Sequence, residues 1–395
     1  MLGTGLVSLF TDLSTEMIIP ILPLFLRSTL GATAEIIGLI EGGSEVVARV
    51  TGYFSGRFSD RLARRKPFMV LGYSLSNILK VFLFLTGSWG QALAIRWLER
   101  LGKGLRGAPR DALLADSTPP ESWGMSFGFH RAMDTAGAVL GPLAAFLLLT
   151  VYRDGLRMVF LWTALPGLAA VLALLFLVRD VRRHRADRAA APPPDEAGGG
   201  ASGEMLAGRN AASFRLFLVV TGIFALGNSA DAFLILRADN LGLPMVVVPL
   251  AYLVFNVVYA LASLPAGVLA DRIGRRRVFA AGYLFFALIY LGFGLAGAAW
   301  EVWPLFAVYG FYYAATEGVG KAMLAQMVPA GSRATAVGTY GLVTGLGALP
   351  ASLVAGFLWD RVGPAAPFFY GAGMAGLALV TLVATRSAMA ESTVL

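Results

Sequence analysis

Residues 56–66 read GRFSDRLARRK and residues 267–277 read GVLADRIGRRR, so one pattern of glycine, aspartate and arginines occurs twice, Gly56 falling on Gly267. A second correspondence has nearly the same spacing. Ala112, Leu114, Ala115 and Pro119 fall on Ala322, Leu324, Ala325 and Pro329, then Gly128 on Gly338 and Gly137 on Gly347. Two separate matches at almost one offset imply a duplicated unit. Each charged copy follows one long apolar run and precedes another, which places it in a tight loop between two membrane spans.

Composition agrees with that reading. The 395 residues are 57% hydrophobic and 14% charged, with a mean hydropathy of +0.70, too apolar for a water-soluble protein. Runs of about 20 apolar residues cross the hydrocarbon. The sequence predicts twelve, at 3–26, 35–57, 67–87, 90–116, 122–150, 156–179, 213–236, 245–270, 278–299, 302–327, 333–358 and 366–386. The expected fold class is an all-α membrane protein: two pseudo-symmetric six-helix bundles over 1–179 and 213–395, joined by a flexible linker over 180–212. That linker includes RRHRADRAAAPPPDEAGGGASGEM, a charge run followed by Pro and Gly tracts that bury too little apolar surface to fold alone. His184 is a solvated linker residue. No basic segment precedes the first apolar run, so no cleavable leader is expected.

The net charge of +8 reflects topology, not a nucleic-acid footprint. Lys and Arg gather in the 57–66, 179–215 and 272–277 segments, while the opposite loops hold only Arg27, Arg153, Arg157, Arg237 and Arg361. The positive-inside rule then puts both termini and the linker in the cytoplasm. An Arg-, Ala- and Gly-rich, Lys-poor composition suggests a G+C-rich bacterium and its inner membrane. Cysteine is absent, which excludes disulfides, thiolate metal sites and a thiol nucleophile. No P-loop supplies ATP drive. No cofactor and no metal site are expected.

The fourth predicted span holds the densest intramembrane charge, RWLERLGKGLRGAPRD at 96–111. At about 100° per residue, Arg96, Glu99, Arg100, Lys103, Arg106 and Arg110 share an arc of roughly 120°, with Trp97, Leu98, Leu101 and Leu105 opposite. Charges at this depth face a bundle interior or a water-filled path. Two readings follow: a cavity wall whose arginines grip an anionic group through planar forks, or structural ion pairs with Glu99, Asp111 and carboxylates on neighbouring helices. Lys80, close to the outer end of the third span, is expected to snorkel.

With these motifs in view, the chain resembles the major facilitator superfamily over its whole length. The family's loop motif G-x-x-x-D-R-x-G-R-R is matched by Gly56, Asp60, Arg61, Arg64 and Arg65, with Ala63 in place of a glycine. It is matched again by Gly267, Asp271, Arg272, Gly274 and Arg275. The resemblance implies that these residues, with Arg110 and Asp116, form a cytoplasmic gate. Gly137, Gly141 and Pro142 are similar to a fifth-helix G-x-x-x-G-P motif associated with exporters and antiporters. The run around Lys103 is also similar to one in a branch labelled as efflux or metal-resistance permeases, although His130 alone, without cysteine, suits a transition metal poorly.

In this family the first, fourth, seventh and tenth helices line a central cavity. The resemblance therefore places Asp12 and Glu16, Asn228 and Asp231, and Glu317 and Lys321 there, each pair three or four residues apart and on one face. The fifth span adds His130, Arg131 and Asp134, and the second adds Glu41, Glu45 and Arg49. A carboxylate out of water favours its protonated form unless a cation sits beside it. Asp12 and Glu16, followed by Asp134 and Glu317, are thus the candidate proton-coupling residues, and Arg96, Glu99, Arg100, Lys103, Arg106, His130, Asn228, Asp231 and Lys321 the candidate substrate-cavity residues. The leading expectation is a monomeric, non-enzymatic carrier in the lipid bilayer that exports a small amphipathic or anionic solute in exchange for protons. A proton symporter importing an organic anion or nutrient is the alternative, and a non-transporting sensor or lipid-handling enzyme the remote one. A counterflow assay under imposed proton gradients separates the first two.

Overall fold

The computed structural model describes residues 2–62, 65–119, 122–152, 155–178, 209–328 and 333–385, and among them all regular structure is helical. Arg64, residue 179 and residues 180–208 of the expected linker lie outside the described residues, as do the side chains of Asp60 and Arg61. The first half consists of α1 (Leu2–Glu16), α2 (Leu22–Ser28), α3 (Ala34–Leu62), α4 (Lys66–Val81), α5 (Trp89–Asp116), α6 (Trp123–Val151), α7 (Leu156–Trp162) and α8 (Ala164–Leu177). The second consists of α9 (Arg209–Gly227), α10 (Ala232–Asn240), α11 (Val248–Ile273), α12 (Arg275–Leu295), α13 (Val302–Met327), α14 (Arg333–Arg361) and α15 (Ala366–Ala384).

Eight helical stretches are long and apolar enough to cross a membrane: Lys66–Leu85, Met125–Val151, Leu156–Leu177, Ala212–Asn240, Val248–Ile273, Arg275–Leu295, Thr335–Arg361 and Ala366–Ala384. Four further helical paths, α1 with α2, α3, α5 and α13, run beside them and hold most of the intramembrane charge. The first and seventh paths are broken, which apolar periodicity alone does not reveal. Pro20 lies within the turn over 17–21 and Pro23 just after it, since a helix cannot satisfy the carbonyls opposite a ring nitrogen. Residues 228–230 are non-helical between α9 and α10. Breaks of this kind at membrane depth persist where they line a cavity.

Within the first half α1 packs on α6 and α8, and α5 on α3 and α4; within the second α13 packs on α11 and α12, and α15 on α12 and α9. The halves meet mainly along α3 with α14 and α6 with α11. The α3–α14 seam is tight at one end only. A Cβ on Gly38 would sit 2.2 Å from the Ser352 carbonyl oxygen, and one on Gly356 would sit 2.5 Å from the Glu35 Cα, so two backbones touch there. Nearer the end of the molecule that carries the termini of α3, α8 and α9, only side chains bridge the gap, and a Cβ on Gly338 would first meet the Tyr53 ring at 4.0 Å. The helices therefore close over the far face and splay toward the face nearest the linker.

Lys80 departs from the snorkelling expectation. It is 1% exposed, and its Nζ donates to Thr15 Oγ1 at 2.9 Å. The polar seam of Thr11, Thr15 and Asn77 between α1 and α4 draws the ammonium inward, a polar route that a sequence window cannot display.

Candidate functional site

Between the halves lies a cavity of about 540 Å³ with two unlike walls. The wall from α1, α3, α5 and α6 is ionic, presenting Asp12, Glu16, Glu41, Glu45, Arg100 and Lys103; the opposite wall presents Asp231 among Tyr252, Tyr312 and Tyr313.

The two α1 carboxylates owe their place to α6. A Cβ on Gly137 would sit 2.6 Å from the Leu9 carbonyl oxygen and 3.0 Å from the Asp12 Cβ, and one on Gly141 would sit 2.5 Å from the Glu16 Cβ. The small residues of the fifth-span motif thus seat α1 at Asp12 and Glu16 themselves. Among the described residues neither carboxylate has a basic group within ion-pair distance, and Glu16 Oε2 is buried without a hydrogen-bond partner. Gly141→Ala is expected to lower stability by about 1–3 kcal/mol through overpacking and to shift Glu16, measured as a lower unfolding temperature in detergent together with a changed proton signal on ligand addition.

On α5 the charge stripe divides by depth. Arg96 is gripped from two sides: Nε and Nη2 donate to the two Glu41 oxygens at 2.9 and 3.0 Å, and Nη1 donates to Glu99 Oε2 at 2.8 Å. Glu99 also accepts from Ser76 and lies 3.6 Å from Arg100 Nε. Glu99 is buried behind the wall and does not line the cavity; Arg96 lines it as part of this closed network. Lys103 faces the cavity and, among the described residues, has no carboxylate within ion-pair distance. Arg106 corrects the cavity assignment made from the helical arc: it is buried against α4, its guanidinium 4.4 Å over the Tyr73 ring. Arg110 pairs with its neighbour Asp111 at 2.9 Å near the linker face.

His130 is likewise buried off the cavity, with Nδ1 3.4 Å from Asp134 Oδ2. Asp134 does line the cavity and accepts a hydrogen bond from Ser8. Arg131 crosses to the other half, donating to the Tyr259 hydroxyl, and Asn256 returns a bond to the Ala138 carbonyl at 2.9 Å. In the second half Asn228, Asp231, Glu317 and Lys321 all line the cavity. Glu317 and Lys321 pair with each other at 2.6 Å. Asp231 Oδ1 accepts from the Tyr309 hydroxyl at 2.7 Å. The tyrosine wall escapes an inventory of charges, although the spacing of Tyr309, Tyr312 and Tyr313 on one predicted span carries the signal.

At the linker face several gate side chains bond within their own halves. Arg65 donates to Ser59 at 2.9 Å and lies 3.6 Å from Asp116. Arg275 pairs with Asp271 at 3.0 Å and donates to the Ala322 carbonyl at 3.0 Å. Arg272 is exposed, and Gly56 approaches Ala108. The far face holds a third copy of the loop motif. Residues 356–363 read GFLWDRVG, again G-x-x-x-D-R-x-G. Its last glycine, Gly363, has φ +139° and Gly274 has φ +100°, backbone that side-chain-bearing residues rarely adopt. Here the aspartate bridges the halves: Asp360 Oδ1 and Oδ2 accept from the backbone N–H groups of Ala34 and Glu35 at 3.2 and 2.9 Å, capping α3.

A helical chain with repeated loops, broken helices and a charged cavity between two halves has many relatives. A family model described as Major Facilitator Superfamily matches residues 4–249 and 216–393. An uncharacterized MFS-type transporter of Methanocaldococcus jannaschii is 35% identical over 377 residues, covering 94% of this chain and 91% of that protein. The class E tetracycline resistance protein of Escherichia coli is 25% identical, covering 90% of this chain and 87% of its own length. The crystal structure of a POT family transporter in complex with a thioalcohol-conjugated peptide shares the fold at 12% identity, with a TM-score of 0.80 over 99% of this chain and 96% of that one. The duplicated loop motif, the helical architecture and these matches together make the chain a member of the major facilitator superfamily.

Proposed function

We propose that this transporter expels a small amphipathic solute from the cytoplasm in exchange for protons, by alternating access. The observation that carries the reading is the placement of Asp12 and Glu16: two cavity carboxylates with no cation in ion-pair range among the described residues, on the same ionic wall as Lys103, itself unpaired. With Asp12 and Glu16 ionised, the two carboxylates accept hydrogen bonds from polar groups of the solute while Lys103 and Arg100 hold its acidic pole; protonation of Asp12 and Glu16 removes those acceptors and the solute leaves, so solute and protons exclude one another and solute binding releases protons. The two units, 1–179 and 213–395, rock about the α3–α14 and α6–α11 seams, with the 180–212 segment as a cytoplasmic linker. Twelve spans, a working monomer, an inner-membrane location and cytoplasmic termini complete the reading. The splayed face is then cytoplasmic, and the two Asp-Arg loops are the gate that engages when it closes.

The test is proton release by the purified protein in detergent on addition of organic anions and cationic drugs. Addition of a bound compound is expected to move protons in the wild type, and Asp12→Asn combined with Glu16→Gln to abolish the signal while binding persists. Lys103→Gln is expected to weaken anion binding at least about tenfold, the loss of roughly one charge-assisted bond. Binding that moves no proton and survives every substitution overturns the proposal. In proteoliposomes, an outward-directed solute flux driven by an inward proton gradient is the expected direction; accumulation with the gradient restores the symport alternative.

A further inference from the structure

The broken seventh path holds a feature that proton exchange at α1 leaves unused. Asp231 stands at the start of α10, where an aspartate ordinarily caps the helix with its own carboxylate. Its side chain makes no capping bond. One oxygen accepts from Tyr309, which stands behind the wall, and the carboxylate itself lines the cavity. Among the described residues no cation lies within ion-pair distance of it. The α9 and α10 ends that meet at this break are opposite in dipole sign, so the carboxylate dominates the local charge.

Around it the wall is aromatic. Tyr312 and Tyr313 present rings whose centroids lie 5.1 Å apart at 78°, Tyr309 packs 5.4 and 5.2 Å from them, and Tyr252 stands beside Phe255 at 5.2 Å. A carboxylate on a cavity wall shared with three tyrosine rings is an environment that attracts an organic ammonium, by charge and by the ring quadrupoles together. Asn228, whose side-chain nitrogen lies 3.5 Å from the Tyr312 hydroxyl, marks the rim of the same break.

We propose that Asp231 with Tyr252, Tyr312 and Tyr313 is a cation subsite, which takes the ammonium group of the transported solute and makes that solute a zwitterion spanning both walls. The inference rests on the proposed transport reading, in which Lys103 and Arg100 hold the acidic pole. It adds that a zwitterion touches both halves at once and so couples its own binding to their closure. A simple anion fills only the ionic wall.

The experiment is calorimetric titration of the purified full chain with three probes of one shape: tryptamine, indole-3-acetate and tryptophan. Tryptamine is expected to bind the wild type, and tryptophan to bind about tenfold or more tightly than either single-charge probe. Asp231→Asn is expected to weaken tryptamine and tryptophan about 30-fold, the loss of a partner to a desolvated charge, while indole-3-acetate, relieved of a like charge in the cavity, binds no more weakly than before and reports an intact fold. Tyr312→Leu is expected to weaken tryptamine several-fold with Asp231 still in place. Three outcomes overturn the subsite: no tryptamine binding to the wild type, tryptamine binding indifferent to Asp231→Asn, or indole-3-acetate binding as tightly as tryptophan. Proton release on indole-3-acetate in the Asp231→Asn variant then shows separately whether the transport reading stands.

Discussion

Arg96→Met is expected to destabilise the first half by about 3–5 kcal/mol, the cost of removing one partner from a buried ion-pair network. The Arg96 side chain is 4% exposed and that of Glu99 2%, while Glu41, on the cavity wall, is 14% exposed. Removing the guanidinium leaves Glu41 and Glu99 facing each other across α3 and α5 with only Arg100, 3.6 Å from Glu99, to offset them. Arg96→Lys is expected to recover less than half of the loss, since a single ammonium cannot reproduce the paired bonds to Glu41 and the third to Glu99. A triple change, Arg96→Met with Glu41→Gln and Glu99→Gln, is expected to be far less harmful than the single one, because it leaves no buried charge orphaned. Thermal unfolding in detergent across these variants is the measurement. If the single change proves as mild as the triple, the network is a solvated one and its closed geometry carries no weight.

This network also shows how far the sequence could be read. The helical arc on the fourth span divides in the structure: Arg96 and Lys103 reach the cavity, Glu99 and Arg106 are buried within the first half, and Arg110 lies near the linker face. Depth along one helix says nothing of which neighbour stands opposite, however. Arg96 meets Glu41, distant by 55 residues in the chain, and Arg106 meets Tyr73; the first is a cavity residue locked in place and the second is core. The duplication predicted the architecture because it is a pattern of like residues at one offset, which needs no knowledge of contacts. The carboxylates of α1 were legible as charges without a basic neighbour in their own helix. Their seating on Gly137 and Gly141 was not, since a glycine pair marks close packing without naming the helix packed. The tyrosine wall was missed for a related reason: aromatic residues in an apolar span read as core until a break such as 228–230 opens a cavity beside them.

The third G-x-x-x-D-R-x-G copy leads to the remaining prediction, which concerns the balance between conformations. α3 and α14 are antiparallel partners, and Asp360, in the Gly-x-x-x-Asp-Arg that ends α14, reaches the amino end of α3 at the far face. The bond at Asp360 exists only while the far face is shut, so it stabilises that state alone, by about 0.5–2 kcal/mol for a cap of this type. Asp360→Asn keeps one of the two acceptor oxygens and is therefore expected to lose only part of this, shifting the equilibrium toward far-face opening by up to about tenfold. Gly38→Val acts on the same seam more strongly. Its side chain would enter the space of the Ser352 carbonyl, 2.2 Å from the first added carbon, an overlap that opening relieves. An overpacking cost of about 1–3 kcal/mol, felt in the closed state alone, shifts the populations by roughly 5- to 150-fold. The chain has no cysteine, so spin labels attached through Thr29→Cys and Val362→Cys report the far face directly. A longer-distance population is expected to rise from wild type to Asp360→Asn to Gly38→Val. Both variants giving the wild-type distribution while remaining folded would remove Asp360 and the glycine seam from any role in closing that face.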